Sequence, residues 1–178
     1  MGRKVALLRA VNVGGRKLAM ADLRALCAGL GWMDVATYIQ SGNVVFTMEA
    51  GSDELESALE TVIRRQLHLD VPVIVRTAAQ WTRLAASNPF AKAVRDEPNR
   101  LQMLVSKRPP NSDAVETLMA RAQAGERVEA AGGALWLHYP QGVGTSKLTP
   151  SLIDKACGSP ATGRNYRTVL KLREMLEQ

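Results

Sequence analysis

Residues 35–48 read VATYIQSGNVVFTM. Two apolar runs, 35–40 and 44–48, flank Ser41-Gly42-Asn43. Gly and Asn tolerate positive φ at low steric cost, so the stretch predicts two antiparallel strands joined by a tight turn. What stands on either side decides the fold. Upstream, AMADLRALCAGLG (19–31) places Met20, Leu23, Leu26, Cys27 and Leu30 at helical spacing, with Asp22 in the first turn and Gly31 as a stop. Downstream, Ser52 starts a second helix whose positive end carries Asp53, Glu54 and Glu56. Leu55, Leu59, Val62, Ile63 and Leu67 form its apolar stripe. KVALLRAV (4–11) and VPVIVR (71–76) complete the set as strands.

The order over residues 1–77 is therefore β-α-β-β-α-β, the ferredoxin-like pattern of an α+β fold. Its strands are apolar on both faces, Val5 and Leu7 against Ala6 and Leu8. A sheet of this kind expects a second cover. Residues 78–178 predict a second, packed α+β lobe. Thr77 caps a short helix that ends at Asn88-Pro89-Phe90, and a charged, proline-containing loop runs to about Asn99. RLQMLVS (100–106) is a strand, a helix carries Val115, Leu118 and Met119, and residues 127–140 form a hairpin at Gly132-Gly133. A glycine-rich loop, a helix around 151–158 and a last amphipathic basic helix from about Gly163 follow. No internal repeat is legible.

With 46% apolar and 22% charged residues among 178, the chain reads as a soluble globular protein with a real core. Cys27 and Cys157 are too few for a disulfide scaffold and read as reduced thiols, so a cytoplasmic location is expected. No membrane span or targeting segment is visible. His68 and His138 stand in unrelated contexts, which argues against zinc, and no acid-rich motif would hold magnesium. No cofactor is expected. Phe46 is the one aromatic on the central strands, too little for an RNA-recognition sheet.

The net charge of +6 is uneven. Residues 1–17 hold Arg3, Lys4, Arg9, Arg16 and Lys17 and no acid. Residues 147–171 hold Lys147, Lys155, Arg164, Arg167 and Lys171 against Asp154 alone. Such excess favours anionic ligands, although a solubilising surface explains the charge equally well. Four stretches carry candidate binding groups. In Asn12-Val13-Gly14-Gly15-Arg16-Lys17 a strand opens into a helix, where free N–H groups, close-approach glycines and a cation meet, but neither the P-loop nor the dinucleotide spacing is present. Gly142–Lys147 ends in Ser-Lys before a helix. In the last helix Arg164, Arg167, Thr168 and Lys171 are predicted to share one outward face, beside Asn165. The turn Tyr38-Ile39-Gln40-Ser41-Gly42-Asn43 is rich in amides. Taken singly, each also fits a plain turn or a solvated helix face.

Together LLRAVNVGGRK, MADLRALCAGLG, TYIQSGNVVF, NPF, GTSKL and RNYRTVLKL resemble the bacterial domain-of-unknown-function family 1697 over nearly the whole chain. The resemblance implies a two-lobed α+β fold built on ferredoxin-like units and no established activity. The family pattern has Gly-Ile where this chain has Ala10-Val11, and Trp where it has Tyr166.

One joint site is then expected: a basic cleft between lobes that binds a phosphate-bearing ligand, nucleic acid or nucleotide. Lys17, Lys147, Arg164 and Arg167 would neutralise charge, with Arg9 and Lys171 nearby. Asn12, Gln40, Asn43 and Asn165 would orient the ligand beside Tyr38 and Ser41, and Gly14 and Gly15 would allow close approach. The alternative is an enzyme acting on a small phosphorylated or carboxylated substrate, with Tyr38, Lys147 or Lys171 as proton carrier. A third reading is an interaction module whose motif residues are purely structural.

Overall fold

A computed structural model describes residues 2–15 and 17–178, so Arg16 lies outside the described residues. The chain divides into two units, residues 1–81 with 172–178, and residues 82–171.

The first unit contains β1 (Gly2–Leu8), α1 (Met20–Gly29), β2 (Met33–Tyr38), β3 (Asn43–Met48), α2 (Ser52–Leu67) and β4 (Val73–Thr77). Its sheet has the order β2-β3-β1-β4 and is antiparallel throughout, which is the ferredoxin-like arrangement. Alternation along the strands sends Ala6, Leu8, Val44, Phe46, Val73 and Val75 into a core with Leu23, Leu26, Leu59 and Ile63 of the two helices. Trp32 stacks on Phe46 with ring centroids 3.9 Å apart, so Phe46 is a core residue. Val5, Leu7, Val45 and Ile74, on the opposite face, are buried as well, in keeping with the two-sided apolar pattern. The Arg3 guanidinium donates to the Met175 carbonyl of the same unit at 2.5 Å.

β4 is an edge strand, and its outward N–H groups need partners. Glu60 Oε1 accepts from Val73 N at 2.7 Å and Glu56 Oε1 accepts from Val75 N at 2.8 Å. The spacing explains the fit: four helical residues rise roughly 6 Å and two strand residues roughly 6.8 Å. Glu56 is buried, 3.8 Å from the Arg76 guanidinium.

α3 (Ala78–Ala86) follows β4 directly, capped by Thr77 as its sequence predicts. Thr77 Oγ1 accepts from Gln80 N at 3.2 Å and Gln80 Oε1 accepts from Thr77 N at 2.9 Å, a reciprocal capping box. The stretch expected as a loop up to Asn99 contains a short helix, α4 (Ala91–Asp96).

The second unit contains β5 (Leu101–Ser106), α5 (Ala114–Met119), β6 (Arg127–Ala131), β7 (Ala134–His138), α6 (Pro150–Cys157) and β8 (Ala161–Asn165). Its sheet order, β6-β7-β5-β8, repeats that of the first, again antiparallel. The fold thus carries an internal repeat that the sequence does not display. Topology constrains only where apolar residues fall, and many residue choices meet that constraint. Leu104, Leu118, Leu135, Leu137, Tyr139 and Ile153 centre its core.

One expectation is corrected. The last helix, α7, runs Tyr166–Glu177 rather than from Gly163, because Ala161–Asn165 form the fourth strand that this sheet requires. Arg164 therefore belongs to a strand paired with Met103 and is buried, and Thr168 is buried too. The predicted basic helix face does not form as a row: Arg167 is exposed and Lys171 half-buried. Asn165 Oδ1 accepts from Thr168 N at 2.9 Å, so a side-chain cap starts the helix just after it.

Candidate functional site

The loop after β1 is held by one side chain. Asn12 Oδ1 accepts from Leu18 N at 2.8 Å, while Asn12 Nδ2 donates to Leu18 O at 2.9 Å and to Gln40 O at 2.7 Å. The carboxamide thereby closes residues 12–18 into a ring and ties that ring to the β2–β3 turn. Within the loop Ala10, Asn12, Gly14 and Gly15 all have positive φ, and the two glycines are exposed. Asn tolerates this region better than most residues, and Gly adopts it freely.

The turn presses on the same segment. Gly42 O accepts from Leu8 N at 2.8 Å. A Cβ on Gly42 would come within 2.6 Å of Val11 Cγ2 and 2.7 Å of Leu8 Cβ, at a φ of +73°, so only glycine fits there. Asn43 is buried, and its Nδ2 donates to Tyr38 O at 3.0 Å and Ser41 Oγ at 2.9 Å. Asn43 and Ser41 thus brace the turn from inside. Tyr38 is half-buried, and Arg9, also half-buried, donates its backbone N–H to Pro72 O at 2.9 Å.

Between loop and turn lies a hollow of about 490 Å³, lined by Asn12, Gly15, Lys17, Leu18, Ala19 and Gln40. Four of the residues expected at a binding site are brought together here: Asn12, Gly15, Lys17 and Gln40. Ala19 is the N-cap of α1 and offers no side-chain cap, so the first turn of that helix has no side-chain acceptor at its N-cap; Asp22 adds an acid in the same turn. Val13 and Ile39, neighbours of Asn12 and Gln40 in sequence, are 57% and 50% exposed.

The remaining expected residues belong to the second unit. Lys147 is exposed and lines a separate hollow of about 440 Å³ with Arg121, Gln123, Thr149 and Leu152. A buried acid organises this region. Glu126 Oε1 accepts from Ser146 Oγ at 2.5 Å, and Glu126 Oε2 accepts from Gln123 N at 3.0 Å and Ala124 N at 2.7 Å. Burial pushes the Glu126 carboxyl up, but the Ser146 hydroxyl and the N–H groups of Ala124, Glu126 and Gln123 outweigh it and hold the group below its ordinary value. Arg164 Nη1 donates to Thr162 Oγ1 at 2.7 Å and Gly163 O at 2.9 Å, and burial lowers its pKa to about 10. Asn165 caps α7.

A further cluster escaped sequence reasoning. His138 Nε2 lies 2.8 Å from Glu97 Oε2, and the Arg127 guanidinium carbon sits 5.0 Å from the centre of the Phe90 ring. They line a hollow of about 710 Å³. The Asn88-Pro89-Phe90 stretch was the one signal for it. Partners some forty residues apart in sequence carry no spacing motif.

The chain belongs to the family described as "Protein of unknown function (DUF1697)", which matches residues 1–136. Among solved structures it is similar to conserved bacterial protein SP0830 from Streptococcus pneumoniae, at 24% identity and a TM-score of 0.78. That likeness covers 100% of this chain and 99% of the other, and it shows the fold. No curated protein matches.

Proposed function

We propose that this DUF1697 protein binds a phosphate-bearing ligand, a nucleotide or nucleic-acid strand, at the Asn12–Gln40 hollow of its first unit. The observation that carries this reading is the composition of the hollow. Lys17 supplies a cation, Gly15 leaves the backbone uncovered, and exposed Ala19 adds apolar surface above buried Leu18. A bare inorganic anion has no use for apolar surface. A nucleotide has both an anionic phosphate and a flat, largely apolar ring. In this reading Lys17 neutralises charge, Gly14 and Gly15 allow close approach, and Asn12 holds the loop to the turn. Lys147 and Arg167 add exposed positive charge elsewhere in the chain. Asn43, Ser146, Asn165 and Arg164 bond within their own units, which favours a scaffolding role for each of them.

The test is fluorescence anisotropy of labelled single- and double-stranded oligonucleotides, and of a labelled nucleotide, at two salt concentrations. Binding should weaken with salt at a slope of about 0.7–0.9 per phosphate contacted, and Lys17→Ala should lower both affinity and slope. Absence of binding at low salt to all three probes, or binding untouched by Lys17→Ala, would defeat the reading.

A further inference from the structure

We propose that the second unit carries a separate site for a planar, nitrogen-rich ring bearing an anionic tail, of the purine mononucleotide type, in the hollow formed by Phe90, Arg127 and the His138–Glu97 pair. Its volume of about 710 Å³ falls within the range of small-molecule sites.

The strand register builds the wall. Arg127 of β6 is paired directly with His138 of β7, so their side chains stand side by side on one face of the sheet. Phe90 lies against both: its ring is 5.0 Å from the Arg127 guanidinium carbon, and its centroid is 6.2 Å from that of the imidazole. Phe90 is 3% exposed, whereas the Arg127 side chain is 63% exposed. The guanidinium thus covers the Phe90 ring on its solvent side, and its Nη2 donates to Glu129 Oε1 at 3.4 Å. A flat cation held in this way is a platform on which a second ring can lie.

The polar groups select the kind of ring. His138 is 13% exposed at its side chain and Glu97 is 44% exposed. Glu97 fixes the imidazole through one oxygen and keeps acceptor capacity toward water. Asp96 adds a second carboxylate to the lining, and Lys92 a second cation. A simple anion would meet two carboxylates here. A ring with N–H donors satisfies those acceptors, and an anionic tail satisfies Lys92. This site is independent of the one proposed for the first unit, since the residues of each lie in a different unit.

The experiment uses amide-resolved NMR of the full chain titrated with AMP and, separately, with inorganic phosphate. AMP should move the amides of Gly125, Arg127 and His138 to saturation, and phosphate should not. Arg127→Lys keeps the charge and removes the flat face, so it should weaken AMP binding about tenfold while the rest of the spectrum stays in place. Three results would overturn the proposal: AMP leaving these amides unmoved, phosphate moving them as strongly as AMP, or Arg127→Lys binding AMP as the parent does. AMP shifts confined to Gly15, Lys17 and Gln40 would support the first-unit reading and reject this one.

Discussion

The Asn12 carboxamide donates to the Gln40 carbonyl at 2.7 Å, joining the loop after β1 to the β2–β3 turn. The same nitrogen donates to Leu18 O and the carboxamide oxygen accepts from Leu18 N. Asn12→Ala removes three hydrogen bonds and leaves alanine at a φ of +56°. The expected loss is roughly 2–3 kcal/mol in urea unfolding, with faster amide exchange at Leu18. A loss under about 0.5 kcal/mol would mean that the clasp is replaced by water at little cost.

Ala10 has a φ of +55° and is exposed. A Cβ in the left-handed region costs about 1–2 kcal/mol, part of which is offset by the greater freedom of glycine in the unfolded chain. Ala10→Gly should therefore stabilise the protein by roughly 0.5–1 kcal/mol. The backbone gives a physical reason for the glycine in the family pattern at this position. Denaturant midpoints of the two proteins settle the sign.

Glu56 satisfies the outward Val75 N–H of edge strand β4 at 2.8 Å. Glu56→Ala should cost roughly 1–3 kcal/mol and speed hydrogen exchange at Val75 far more than at Val5 on the central strand. Equal exchange at Val75 in both proteins would show that the carboxylate does not protect the edge.

Glu126 holds its proton less tightly in the folded protein than an ordinary glutamate does. Its contribution to stability is therefore present above the ordinary glutamate pKa and is lost as pH falls through the lower, folded value. Glu126→Gln should flatten the acid limb of the stability curve in that window, and Ser146 and Gln123 amides should shift there in the parent protein. An acid limb identical in both proteins would assign the pH dependence to other carboxylates.

Burial pushes the Cys27 thiol up to about 12, and burial also raises Cys157. Thiolates are the reactive species, so neither residue should react with a thiol reagent at pH 8 in the native protein. Both should react once the chain is unfolded in denaturant. A native-state reaction on the minute timescale would contradict the packing around these residues.

Much of the first unit was legible because its signals are local. The turn at Ser41-Gly42-Asn43, the apolar stripe of α2 and the Thr77 cap are each set by residues within a few positions of one another. The two-sided apolar strands likewise predict burial of both Val5 and Ala6. The loop and turn that line the hollow of the proposed site were legible for the same reason, since Asn12, Gly15, Lys17 and Gln40 stand in two short stretches marked by their own composition.

The rest depended on pairing across long separations. GRNYRTVLKL satisfies helical periodicity throughout, yet Ala161–Asn165 form a strand because β5 offers them an open edge. That pairing turned Arg164 from an expected surface charge into a buried one. His138 meets Glu97, Ser146 meets Glu126 and Asn12 meets Gln40 only once the sheets have formed. Local propensity and periodicity, written in the residues themselves, determined most elements of this protein, with β8 and α4 as the exceptions. Which polar groups face one another across long separations was decided by tertiary structure, because such a hydrogen bond is specified by distance in space and leaves no period in the chain.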